Sequence, residues 1–397
     1  MKHRLLLASP LLLVATGCGS RTAVGTTGCF ETPPGCIQAG DPCGASIAVD
    51  AACDATTHTW SCPRGSSTHT RAVDSPATCL PFHDPSGPLQ TLRGSLPRVP
   101  LDDGRCLWIG ETVITTAGAP VSNVGFLVEP DASFGGCPTT ATFAGGAPSP
   151  VVTVESGADP TLVVQIAGGY RLAGKTRVLY RLFRADPTAT FGLTLLGAGL
   201  GRWDAASGQI IVPGPAALRW GPDLDLADAA LVEGSTAYLW GCHAPFHDLT
   251  DDCVVGRLDE SDSMQLYAGQ GQWITSTRAS DAAVVFDSAS WFSSVVARGG
   301  GLEHAYIVAW GSTVQTHTAS APEGPWVAGA NLAACDLPGD DGQAYCSGLV
   351  VHTELQDPER PGEQVMSYAV GTLAKDQTAR YADQPEQYWP RLVWAGR

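Results

Sequence analysis

Glu354 is the residue that first invites a chemical reading. It closes C-S-G-L-V-V-H-T-E-L (Cys346 to Leu355), an apolar run that ends on His352 and Glu354. Such a pair can position a substrate or an ion, or it can be a polar strand end meeting water. A second cluster, His243-Ala-Pro-Phe-His247-Asp248, has metal-ligand residue types. Two histidines in one loop do not close a metal site, so it reads as a polar loop. There is no G-x-S-x-G, no P-loop and no H-E-x-x-H. Serine-hydrolase, nucleotide-binding and zincin chemistry therefore have no motif to stand on.

The chain around these residues has 397 residues, 44 % apolar and only 16 % charged, with a formal net charge of −16. Nucleic-acid binding needs a basic footprint, and this chain has none. The first residues form an export signal: basic Met1-Lys-His-Arg, the apolar run Leu5 to Val14, then Ala15-Thr-Gly-Cys18. This resembles a bacterial lipoprotein signal (residues 1–17) with Cys18 as the lipid-bearing residue, although Ala15 stands where such signals usually carry Leu. The chain has 13 cysteines, so lipid on Cys18 leaves an even 12 for disulfides in an oxidising compartment. The expected location is the bacterial envelope, at the outer membrane, with the lipid as the only membrane contact.

Cys29, Cys36, Cys43, Cys53, Cys62 and Cys79 crowd into a turn-rich segment, read as a disulfide-stapled module over 18–84. Its pairing stays open. From 85 to 397 helical periodicity is nearly absent, and short apolar strands alternate with Gly, Pro, Asp and Ser. An aromatic recurs inside such strands at Trp108, Tyr180, Tyr238, Tyr306 and Tyr368, spaced 72, 58, 68 and 62 residues apart. That period suits decorated four-stranded blades and predicts an all-β, five-bladed β-propeller. Inner strands are expected at Leu162 to Ile166, Asp228 to Val232, Ser293 to Ala297 and Ser347 to His352. Closure is expected in the first blade, near Tyr388 to Trp394. Cys242 with Cys253 and Cys335 with Cys346 each flank ten residues and can clip blade loops, leaving Cys106 with Cys137.

T-A-S-A-P-E-G-P-W (Thr318 to Trp326) resembles the A-x-S-x-x-x-G-P-W signature of the five-bladed propellers of arabinanase-, fructosidase- and xylosidase-like glycosidases. D-G-R-C-L-W-I-G-E-T (Asp103 to Thr112), Y-L-W-G-C, C-V-V-G-R-L and H-T-E-L extend the likeness to a secreted or lipid-anchored branch of that superfamily. The resemblance implies channel-facing acids: one base or nucleophile, one proton donor and one that tunes pKa. The nearest acids are Glu111 in blade one, Asp228 in blade three and Glu354, which belongs to blade five rather than four. The inner run of blade four, Phe286 to Ala297, contains no Glu. His352, Arg257 and Trp326 are expected to contact a ligand. No cofactor is expected, and the sequence lends no support to a cation in the channel. Three function classes follow: carbohydrate binding without robust hydrolysis, glycoside hydrolysis by the channel carboxylates, and a non-catalytic interaction scaffold in the envelope.

Overall fold

The computed structural model describes most of residues 89–395, except 117, 119, 130–140, 156, 158, 190–191, 243–250, 289–292, 299, 308–310, 330, 340 and 356–363, and a few short strands between 36 and 72. The chain divides into two units, 1–67 and 68–397. In the first, Ala52–Asp54 pairs antiparallel with Thr59–Ser61. The signal segment, Cys18 and the disulfide pairing of the first module lie outside the described residues.

The second unit holds five sheets in succession, the expected propeller. Blade one places Leu89–Arg93 and Arg98–Pro100 on one edge of Cys106–Thr115, followed by Pro120–Val128 and Ala141–Phe143. Blade two runs Leu162–Leu172, Lys175–Ala185, Leu193–Asp204 and Gln209–Val212. Blade three runs Ala229–Glu233, Thr236–Cys242, Asp251–Leu258 and Met264–Gly269. Blade four runs Ser293–Arg298, Gly301–Ile307, Thr313–Ala319 and Val327–Ala328. Blade five runs Ala344–His352, Gln364–Thr372, Arg391–Ala395 and Thr70–Ala72. Strands from the two ends of the propeller do share a sheet, but it is the fifth, not the first. Blade one has its own inner strand in Leu89–Pro100, so the C-terminal strand extends blade five instead.

The recurring aromatics hold one topological position. Each lies on the second strand, opposite an inner-strand residue: Trp108 opposite Arg98, Tyr180 opposite Ile166, Tyr238 opposite Leu231, Tyr306 opposite Ser293 and Tyr368 opposite Leu349. All but Tyr238 are buried. A ring of this size removes roughly 150–250 Å² from water, worth about 4–6 kcal/mol before ordering costs. Their polar ends are paired: Tyr180 Oη donates to the Pro213 carbonyl, and Tyr368 Oη accepts from Asp336 N across to the preceding blade. The repeat is therefore read by topology and not by fixed spacing.

The Gly-Pro-Trp turn folds as expected. Gly324–Pro325 is cis, Trp326 Nε1 donates to the Pro322 carbonyl, and the indole packs edge-on against Trp240. Cys242 and Cys253 are disulfide-bonded directly across a strand pair, with Cα atoms 3.9 Å apart. The Cys335–Cys346 disulfide joins the end of blade four to the inner strand of blade five.

Candidate functional site

The inner strands surround a channel lined by small and apolar residues, including Ala167, Gly168, Ala229, Ser293, Val295 and Val350. Among the described residues, the charged ones that line this cavity are Arg98 and Asp228, and the cavity is open to solvent. The strands that form it contain no acid in blades one, two, four or five; Asp228 leads into the inner strand of blade three, and Glu233 ends it.

At the end where the inner strands begin, blade two offers the buried Arg181 to two buried carboxylates. Its Nε donates to Asp225 and its Nη2 to Asp228. Asp225 also accepts from Ala227 N at 3.0 Å, and Asp228 from Cys242 N at 2.6 Å. The glycine at 241 makes this approach feasible, because a Cβ there would lie 1.3 Å from the Asp225 carbonyl oxygen. Burial raises the Asp228 pKa to about 7; Arg181 opposes the rise, and the like charge of Asp225 adds to it. Burial would lower the Arg181 pKa, but the two carboxylates outweigh it and hold the guanidinium charged.

Glu111 belongs to the same end. Its Oε1 accepts from Gln165 Nε2 of blade two at 3.0 Å. Gly94, at φ +110°, lets it fit: a Cβ there would stand 2.7 Å from the Glu111 Cβ. Glu111 keeps solvent access, yet the protein packed around its carboxyl displaces enough water to push its pKa up, against Gln165, Arg93 and Arg181.

Glu354 belongs to the other end. It is buried, and Oε1 accepts from Trp108 Nε1 at 2.8 Å and lies 3.2 Å from His352 Nδ1, while Oε2 pairs with Arg98 at 3.3 Å. Burial works to raise its pKa, but Arg98 and His352 outweigh that and hold it down at about 2. His352 is fully buried, its pKa lowered by burial, and its ring lies against Trp108, tilted at 40° with centroids 4.2 Å apart. Its Nε2 sits 2.7 Å from Ser367 Oγ, which donates its proton to the Ser95 carbonyl at 2.7 Å. Trp108, which anchors Glu354, and Glu111 are three residues apart on one strand, about 10 Å of extended chain. The structure thus places Glu111 and Asp228 at one end, where Arg181 is bonded to Asp228 and its charge is felt at Glu111, and places Glu354 and His352 in the seam between blades five and one.

The remaining expected site residues are dispersed. Arg257 is on the third strand of blade three, bonded through Nε and Nη2 to Gln265 and stacked 4.5 Å over Trp273, away from the channel. Trp326 is committed to its turn. Cys106 is buried with a free thiol, raised by burial to about 12, and Cys137, like His243, His247 and Asp248, lies outside the described residues. Among the described residues, no group of three or more His, Cys, Asp and Glu is placed to hold a metal. Sequence reasoning missed Arg181 and Asp225, although a signal was present. V-L-Y-R-L-F carries an arginine inside an apolar strand, and D-L-D-L-A-D places acids two and three residues apart before the next inner strand. A buried cation needs such partners.

No family profile and no curated protein matches the sequence. Among solved structures, the chain is similar to a candidate hydrolase from Bacteroides ovatus at 14 % identity and TM-score 0.57, covering 77 % of this chain and 86 % of that one. It is more loosely similar to a family-43 glycoside hydrolase from Xanthomonas citri in complex with xylose, at 15 % identity, TM-score 0.45 and coverage of 78 % and 89 %. An N-acetylgalactosamine deacetylase from F. plautii, in complex with blood group B trisaccharide, aligns at 12 % identity, TM-score 0.44 and coverage of 82 % and 95 %. At these identities the likeness speaks for the fold alone, the five-bladed propeller.

Proposed function

We propose that the protein is an exported, lipid-anchored envelope protein that binds carbohydrate at the strand-start mouth of its channel without robust hydrolysis. The observation that carries this reading is the commitment of the channel acids. Asp228 is clamped by Arg181, and Glu354 is spent on Arg98, Trp108 and His352 in the far seam. The inner strands bring no second carboxyl to face Asp228 at the separation an acid–base pair needs. The strand-start end nevertheless offers a saccharide the carboxyl of Glu111 and the amide of Gln165.

The raised carboxyls favour a second reading. Asp228 at about 7 and the raised Glu111 near one arginine could supply proton transfer for glycoside hydrolysis. Screening the protein on a glycan array and assaying each bound glycan for hydrolysis separates the two. Binding without turnover is expected. Turnover lost in both Glu111→Gln and Asp228→Asn would establish the hydrolase instead, and no glycan binding would leave the interaction scaffold.

A further inference from the structure

Two arginines approach the strand-start mouth, and their donors fare differently. Arg181 spends Nε and Nη2 on Asp225 and Asp228. The side chain of Arg93, the last residue of Leu89–Arg93, makes no hydrogen bond and no ion pair with another described residue. Its guanidinium carbon lies 4.1 Å over the ring of Tyr381. Tyr381, from the helix Gln377–Asp383, is buried, and its Oη accepts from Thr372 N. The platform is therefore fixed, and the stacking holds Arg93 by its face.

A guanidinium held by its face keeps its N–H donors at the edge, in a planar fork that matches a carboxylate. Arg93 is half-buried, and its charge is felt at Glu111 and at Tyr345 on the inner strand of blade five. The next residue, Gly94, lies against Glu111, which the binding reading assigns to the saccharide. Glu111 would repel an anion here, but the protein packed around its carboxyl disfavours its charge and outweighs the opposing hydrogen bond from Gln165.

We infer that Arg93 is a carboxylate-recognition residue and that the glycan bound at this mouth carries uronic acid. The inference rests on the carbohydrate-binding reading and narrows its ligand class. It is tested by calorimetry on the mature chain with oligomers of glucuronic, galacturonic and mannuronic acid, each beside its carboxyl-reduced neutral counterpart. Wild type should bind at least one acidic oligomer ~10-fold or more tighter than its neutral partner, the gain of a charge-assisted fork. Arg93→Gln should bring that ratio to about one. Arg93→Lys, which keeps the charge without the fork, should retain only part of it, and melting curves confirm that each variant is folded. A wild-type ratio near one, or a ratio unchanged in Arg93→Gln, overturns the Arg93 assignment while carbohydrate binding stands. Binding to no acidic or neutral oligomer, here or on the array, overturns both.

Discussion

Glu354 and Asp228 are both buried carboxyls paired with an arginine, at opposite ends of one channel, yet one is held at about 2 and the other at about 7. Desolvation pushes both upward, so burial does not separate them. The partners do. Glu354 has Arg98, an indole N–H and a histidine, with no acid beside it. Asp228 shares its one guanidinium with Asp225, so two carboxylates compete for a single positive charge. A carboxylate with a surplus of donors becomes structure, and one that must share a cation keeps a proton within reach of neutral pH.

The largest effect should come from breaking the shared cation. Arg181→Met leaves Asp225 and Asp228 buried without a counter-charge, and the expected loss is about 3–5 kcal/mol in urea unfolding. Adding Asp225→Asn and Asp228→Asn should recover much of it, because the neutral amides no longer need the cation. A loss below about 1 kcal/mol for Arg181→Met would mean that the two acids are not held as charges.

Glu354→Gln should rank second, at about 2–3 kcal/mol, since it strips the partner from a half-buried arginine and from His352 at the blade-five to blade-one seam. Glycan affinity at the opposite mouth should not follow the stability loss once the protein is assayed well below its melting temperature. An affinity loss far exceeding the change in folded fraction would show that the two ends are coupled.

The same comparison shows what could be read in advance. The five aromatics were legible because every blade must bury a ring at one topological place, and that demand leaves a mark in each copy. Four inner strands, those of blades two to five, were legible as short runs of small and apolar residues, three of them beginning or ending on a polar group. The inner strand of blade one was not: L-Q-T-L-R-G-S-L-P-R-V-P is broken by Gly94 and Pro97, where a bend carries Glu111 against the chain. The role of Glu354 was hidden for a different reason. Trp108 lies 246 residues away, and no local pattern announces a bond that forms only when the last blade meets the first. Asp228 was legible, but Arg181 was not, because the two meet only when blade two packs on blade three.

The third test uses pH, because the two ends should move stability in opposite directions. Glu354 has a depressed pKa, so its contribution is present above 4.5 and is lost as pH falls from there through about 2. Asp228 has a raised pKa, so its contribution is present below 3.8 and is lost as pH rises through about 7. Urea unfolding across pH 3–8 should show the wild type losing stability relative to Asp228→Asn between pH 3.8 and about 7, with no further divergence above that. Relative to Glu354→Gln, the wild type should lose its advantage only on the acid side. Parallel slopes for the two variants would erase the distinction between the ends.

The smallest effect should come from Gln165→Leu, and its value is diagnostic. The amide bond to Glu111 is exposed, so stability should change by less than about 1 kcal/mol. That bond lowers the Glu111 pKa against the larger effect of burial. Removing it should therefore raise the pKa further, and the carboxyl should protonate at a higher pH. If Glu111 meets the ligand, the pH dependence of glycan binding should shift upward in Gln165→Leu and vanish from the Glu111→Gln profile. Should both variants keep the wild-type profile, Glu111 is only a solvated strand residue, and the open mouth is defined by Arg93 and Asp228 without it.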